Sequence, residues 1–202
     1  MCVDNRCINK ATKFDSFPLP WLDEAVDAFV GFTVTSSLDL AMAYHKVSVA
    51  PSDVEKTAFI THVRLFEIVK MPFGLCNVPS TYQRLLWILL RGLISQICLA
   101  YLDDVNVFSR SLTQHLDDLR AVFTRILGVG LKLKLLKCHL FRDEFLYLGH
   151  IINSSGVSPD PAKLRVLSTW PVPATVCEIK SFLGFVNFYG DYIAGSTRLT
   201  AT

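Results

Sequence analysis

The clearest periodicity in the chain lies between Leu112 and Ile126. Leu112, Leu116, Leu119, Phe123 and Ile126 recur at steps of four, three, four and three, which is one face of an α-helix. Ser111 with Gln114 three residues on makes a capping box, and Gly128 can stop the helix. Elsewhere, short runs rich in Val, Ile, Phe and Thr predict strands: FTVTSSLDL (32–40), KVSVAP, TAFIT and LFEIVKM. ICLAY and VNVFS predict a hairpin, and LKLKL and FLYLGHIIN are strand-like. MPFGLCNVPS is punctuated by Pro72, Gly74 and Pro79 and reads as a loop. Pro79 suits the first turn of a helix running through Thr81 to Ile94. A short helix follows Pro161 and ends at WPVP, and ATVCEIKSFLGFVNFY predicts one more. The order implies an α+β fold, with an antiparallel sheet backed by two helices.

Composition narrows the class. The 202 residues are 51% hydrophobic and 19% charged, which is a globular composition and excludes a disordered tail protein. Mean hydropathy is high, at +0.37. The greasiest run, Leu85 to Leu90, is bracketed by Arg84 and Arg91 and falls far short of the ~20 residues of a membrane span. It predicts a buried helix and no membrane partner. MCVDNRCINKATK has charges and no apolar core, unlike a signal peptide. The six cysteines form no CxxC pair and read as reduced core residues. A net charge of +2 gives no broad basic field, so a nucleic-acid role would rest on local groups or bound metal ions.

One feature of the hairpin departs from packing logic. Asp103 and Asp104 sit together between two apolar runs, and Asp39 ends another apolar strand. Adjacent aspartates are usually just a turn. If the two strands are neighbours, however, Asp39 and Asp103 meet at one sheet edge. Like charges that close must protonate or bind a cation. Hard oxygens without nearby His or Cys favour magnesium. Two such ions, roughly 4 Å apart, can activate a hydroxyl and steady a leaving oxygen, which is phosphoryl-transfer chemistry.

The boxes around these carboxylates carry a resemblance. YLDD (Tyr101 to Asp104) resembles the Tyr-x-Asp-Asp box of reverse transcriptases. CVDNRCINKAT, FPLP, LDLAMAYHKV and KTAF resemble gypsy-type LTR-retrotransposon polymerases in family order. So do MPFGLCNVPSTYQR, His115, Lys137–Cys138, YLGH, WPVP and SFLGFVNFY. The resemblance covers about residues 2 to 194.

It implies a right-hand polymerase fold. Residues 1–14 and 47–77 would be partial fingers, 15–46 and 78–153 the palm, and 154–202 the start of a thumb or connection. The implied activity is RNA-directed DNA polymerase, adding dNTPs to a primer 3′-hydroxyl on an RNA or DNA template. Two Mg²⁺ ions would serve it, with Mn²⁺ as a substitute. Asp39, Asp103 and the backbone of Leu40 take the metal positions, and Asp104 assists. Leu40, Tyr44, Phe73, Gly74, Gln83 and Arg6 take nucleotide-binding positions. Tyr101, Leu102, Leu148, Gly149 and His150 take primer–template positions. Lys137 faces phosphates or is a surface lysine. Without the resemblance, Tyr44 reads as packing, Gly74 as a turn glycine, Arg6 as a solvated charge and His150 as structural.

The departures from the family set further expectations. LDLAMAYHKV stands where LDLRSGYHQI is usual, and Gly190 and Asp191 replace a basic pair. Arg64 replaces a turn glycine, at about 1 kcal/mol or more if φ must be positive. Asn106 interrupts an apolar strand, and a buried amide without partners costs ~1–3 kcal/mol. The resemblance implies a piece of a polyprotein, whose other segments would include RNase H and integrase. It also implies an intracellular setting, in a cytoplasmic particle or the nucleus. The alternative is a truncated, non-catalytic remnant that keeps the palm and at most binds nucleic acid.

Overall fold

The computed structural model describes residues 3–20, 29, 31–41, 44–193 and 195. Two compact units divide the chain, residues 1–143 and 144–202.

The first unit is organised by β1 (Val34–Ala41). On one side it pairs antiparallel with β5 (Asp104–Ser109), which pairs in turn with β4 (Cys98–Tyr101). On its other side β6 (Lys132–Leu133) takes the end near Leu40, and β7 (His139–Arg142) takes Thr35 and Ser37. Helices α2 (Val78–Leu89) and α3 (Leu112–Gly128) supply the apolar cover. The pleat sorts the side chains. Leu38, Leu40, Cys98, Ala100, Val105 and Val107 join Tyr82 and Leu86 of α2 and Leu119, Val122 and Ile126 of α3 in one buried core. The alternate positions share the opposite face, where Asp39 lies across from Asp104 and Ser37 from Asn106. Burial pushes the Cys98 thiol up to about 12, as expected of a core thiol, and no described cysteine is in a disulfide.

α3 forms as its pattern predicts, with Ser111 Oγ accepting from Gln114 N at 3.3 Å. Its buried face is rotated, however. His115, Leu119, Val122 and Ile126 are buried, while Leu112 and Leu116 are 59% and 49% exposed. The cause is polar. His115 Nε2 meets Ser36 Oγ at 2.7 Å, and Nδ1 meets Ser109 Oγ at 2.9 Å. Ser109 Oγ donates to Asp118 Oδ2, so it must accept from His115 Nδ1–H. Phe141 N donates to Ser36 Oγ, which leaves the Ser36 hydroxyl to donate to Nε2. This chain of bonds ties α3 to β5, β1 and β7.

Other expectations need correction. α2 ends at Leu89 rather than Ile94, and successive turns follow. The Leu85 to Leu90 run is half buried: Leu86, Leu89 and Leu90 face the core, but Trp87 and Ile88 are exposed. KVSVAP is not a strand; it contributes one bridge, Ser48 to Lys70, between two 3₁₀ turns. TAFIT and LFEIVKM yield only two-residue strands, β2 (Phe59–Ile60) and β3 (Leu65–Phe66). LKLKL supplies β6 and then a 3₁₀ turn. Arg64 lies in the β2–β3 turn without a positive φ, so the expected strain does not arise. Asn106 is 2% exposed, but its Oδ1 accepts from Ser37 Oγ, so the amide is partnered within the sheet. Helix α1 (Arg6–Ala11) anchors the 73–76 loop: Asn9 Nδ2 donates to Gly74 O, and Cys76 N donates to Asn9 Oδ1.

Among its described residues the second unit holds a three-stranded antiparallel sheet and two α-helices. The strands are β8 (Glu144–Tyr147), β9 (His150–Asn153) and β10 (Gly156–Pro159). Helix α4 (Pro161–Ser168) starts at the predicted proline, with Asp160 as its cap. Helix α5 (Val176–Phe188) is capped by Thr175.

Candidate active site

β1 and the β4–β5 hairpin bring the three acidic residues to one end of the sheet. Asp39 is the register partner of Asp104, which also pairs with Tyr101. Leu40 N donates to Asp103 O at 2.9 Å, which joins the tip of the hairpin to β1. The adjacency expected of Asp39 and the hairpin is therefore present. The turn has only Leu102 and Asp103 between the paired residues, and Leu102 takes φ +50°.

The electrostatics follow from this crowding. Burial, then the neighbouring charges of Asp104 and Asp39, raise the Asp103 carboxyl above the usual range. Asp104 is raised by burial and then by Asp39. Asp103 Oδ1 is buried with no hydrogen-bond partner. Lys137 Nζ offsets part of the charge from 3.3 Å beside Asp39 Oδ2. Asp39's own carbonyl accepts from Lys134 N, so the segment after β6 is fastened to the site strand.

The donors fit a hard divalent cation in kind: carboxylate oxygens, one of them buried and uncommitted. Among the described residues, however, no group of three or more His, Cys, Asp or Glu is arranged to hold a metal ion.

Other site residues are placed as follows. The Tyr44 ring is buried, edge-on to Phe73 at 5.3 Å and to Tyr82 at 5.1 Å. Phe73 is itself 64% exposed. Gly74 has φ +93°, a backbone that favours glycine, and a Cβ there would crowd the Asn5 side chain, 3.2 Å from Nδ2. Gln83 is buried behind the turn, bonded to the backbone of Ala100 and Leu102. Arg6 is exposed and pairs with Asp4. In the second unit, Leu148 and Gly149 form a two-residue turn at φ +48° and +81°. His150 is 2% exposed, against the rings of Phe188, Tyr189 and Tyr192. It is a core residue of that unit.

Sequence reasoning missed two partners. Lys137 carries no local pattern that points to Asp39, and their contact joins segments far apart in the chain. The Ser36–His115–Ser109–Asp118 chain was equally hidden, although a His on an otherwise apolar helix face was its one visible signal.

A helix-backed antiparallel sheet with acidic residues at the end of its central strands is a polymerase-type palm. Residues 1–152 match the family model described as "Reverse transcriptase (RNA-dependent DNA polymerase)". The chain is 38% identical over 191 residues to the retrovirus-related Pol polyprotein from transposon 297 of Drosophila melanogaster. That match covers 95% of this chain and 18% of the relative. The Pol polyprotein from transposon gypsy of the same organism is 31% identical over 193 residues, 96% of this chain and 19% of the relative. This chain thus spans about a fifth of the length of these relatives. Among solved structures, the foamy viral protease-reverse transcriptase dRH in complex with double-stranded DNA superposes with a TM-score of 0.84. It is 24% identical, covering 93% of this chain and 33% of that one, and it supports the fold. The chain belongs to the reverse transcriptase family, related to the gypsy-type LTR-retrotransposon Pol polyproteins.

Proposed function

We propose that this chain is the core of an RNA-directed DNA polymerase. It would extend a primer 3′-hydroxyl with dNTPs on an RNA or DNA template. The carrying observation is the meeting of Asp39 with Asp104 and of Leu40 with Asp103, which leaves Asp103 Oδ1 buried and uncommitted. Asp39, Asp103 and the Leu40 backbone would hold two Mg²⁺ ions, or Mn²⁺ in their place, with Asp104 assisting. When bound, such ions supply Lewis-acid activation of the primer hydroxyl and neutralise charge on the leaving pyrophosphate. Tyr44, packed edge-on to Phe73 and Tyr82, would clash with a 2′-hydroxyl and so favour deoxynucleotides. Phe73 and Gly74 lie in the loop that would close on the new base pair, and Arg6 would approach the nucleotide from the fingers. Lys137 would lie beside the phosphates.

We assign fingers to 1–14 and 47–77, palm to 15–46 and 78–153, and the start of the thumb or connection to 154–202. Its partners would be a primed template, dNTPs and the RNase H and integrase parts of a longer polyprotein.

The test is primer extension on poly(rA)/oligo(dT) with Mg²⁺ or Mn²⁺. Asp103→Asn should abolish extension while circular dichroism shows an unchanged fold. Equal extension by variant and parent would sink the assignment.

A second reading is favoured by one observation, the lack of a ready three-donor metal group among the described residues. It is a palm that binds nucleic acid without catalysis. Filter binding of a primed template without incorporation, under either cation, selects it.

A further inference from the structure

Leu102 opens the two-residue turn from β4 to β5 at φ +50°. Left-handed backbone is unfavourable for leucine and persists only where the surroundings over-determine it. β4 is an edge strand of its sheet among the described residues, and beyond an isolated bridge from Ile94 to Cys98 no strand pairs with its outer side there. Gln83 stands in for such a strand. Its Nε2 donates to Ala100 O at 2.8 Å, and Leu102 N donates to its Oε1 at 2.9 Å. One primary amide thus bonds the carbonyl of one residue and the amide of the residue two further on, the pair a neighbouring strand would engage. The side chain is only 3% exposed, because α2 packs it into the first unit's interior.

The residue after the latch is Asp103. Its carbonyl is held by Leu40 N at 2.9 Å, while its Oδ1 has no partner. Backbone contacts on both sides therefore decide where that carboxylate points. We infer that Gln83 is a positioning residue for Asp103, acting through the Leu102 turn, rather than a nucleotide contact. The inference rests on the proposed metal role of Asp103, so its test includes an arm independent of metal and catalysis.

That arm is amide hydrogen exchange on the full 202-residue chain without metal. The Leu102 amide should be protected in the parent and lose about tenfold or more of that protection in Gln83→Met, as one buried hydrogen bond implies. Leu119 and Val122 in the α3 core should keep theirs. Mn²⁺ binding, read by electron paramagnetic resonance, should weaken about tenfold in Gln83→Met. Gln83→Glu keeps the acceptor for Leu102 N and loses the donor to Ala100 O, so it should fall between. In primer extension, kcat should drop while KM for dTTP stays within about twofold.

A parent Leu102 amide that exchanges like an exposed loop would overturn the inference. So would unchanged Mn²⁺ affinity in Gln83→Met, or a rise in dTTP KM alone, which marks a nucleotide contact. If Gln83→Met does not fold, Gln83→Glu and exchange in the parent decide the matter. If the parent binds no Mn²⁺, the metal reading fails, and Leu102 exchange alone supports or overturns the latch.

Discussion

Tyr101–Asp104 and Tyr147–His150 are both two-residue hairpins that open on a leucine in left-handed backbone, at φ +50° and +48°. They are stabilised differently. The second has Gly149 at its other loop position, as a turn with two positive φ values favours. Aromatic groups surround it: Tyr189 Oη donates to Gly149 O at 3.2 Å, and His150 packs among three rings. The first has Asp103 in place of glycine and is held by a buried amide and a backbone bond from β1. The aromatic turn holds no carboxylate and can be rigid at little electrostatic cost. The acidic turn keeps a carboxylate half out of water beside two others, which disfavours the apo fold and suits a cation. Strain of the same kind is packed among aromatic rings in one place and held beside carboxylates in the other.

The largest expected effect separates the two turns by function. Asp103→Asn should lower primer extension by about 1000-fold or more, as loss of several kcal/mol of transition-state stabilisation implies. The same variant should melt higher than the parent without divalent metal, because the burial and neighbouring charges that raise this carboxyl also disfavour its ionised form. A lower melting temperature would mean that the acidic turn is a packing device like its counterpart.

Next is the buried polar chain at the far end of β5. His115→Ala should cost about 2–4 kcal/mol in denaturant melts, since it orphans Ser36 and Ser109 in the interior. The pH dependence has a definite sign. Burial lowers the folded pKa of His115 below its ordinary value, although Asp118 opposes this. Its contribution to stability is therefore present above about pH 6.5 and lost as pH falls toward the folded pKa. Melting curves of His115→Ala and parent should converge on acidification through that window. Divergence would contradict the neutral Nδ1–H tautomer.

Gly149→Ala should destabilise by about 1–2 kcal/mol, because φ is +81° and the new Cβ would lie 3.1 Å from Tyr189 Oη. A neutral result in chemical denaturation would show that the aromatic turn is looser than its contacts imply. Smallest is Leu148→Asn, which makes the loop Asn-Gly. It should raise the melting temperature by about 1–3 °C, since asparagine tolerates left-handed backbone. Scanning calorimetry checks it.

Legibility in the sequence followed the range of the forces. Ser111 and Pro161 marked helix starts because capping acts over a few residues. Short strands such as KVSVAP were over-read, since β propensity describes a surface that fits a sheet and cannot say whether a neighbour exists. The apolar stripe of α3 was visible, but its rotation was set by Ser36 and Ser109, which come from two strands. Asn106 looked like a defect until Ser37, its register partner, supplied a hydrogen bond.

Local order determined the α+β class, the hairpin around YLDD and the carboxylates worth watching, because alternation, caps and turn residues act on near neighbours. Tertiary structure alone decided that Asp39 faces Asp104, that Lys137 leans on Asp39 and that Gln83 grips the Leu102 turn. Each of these joins segments far apart in the chain. Strand register and a buried amide's choice of partner are settled only when the whole core closes around them.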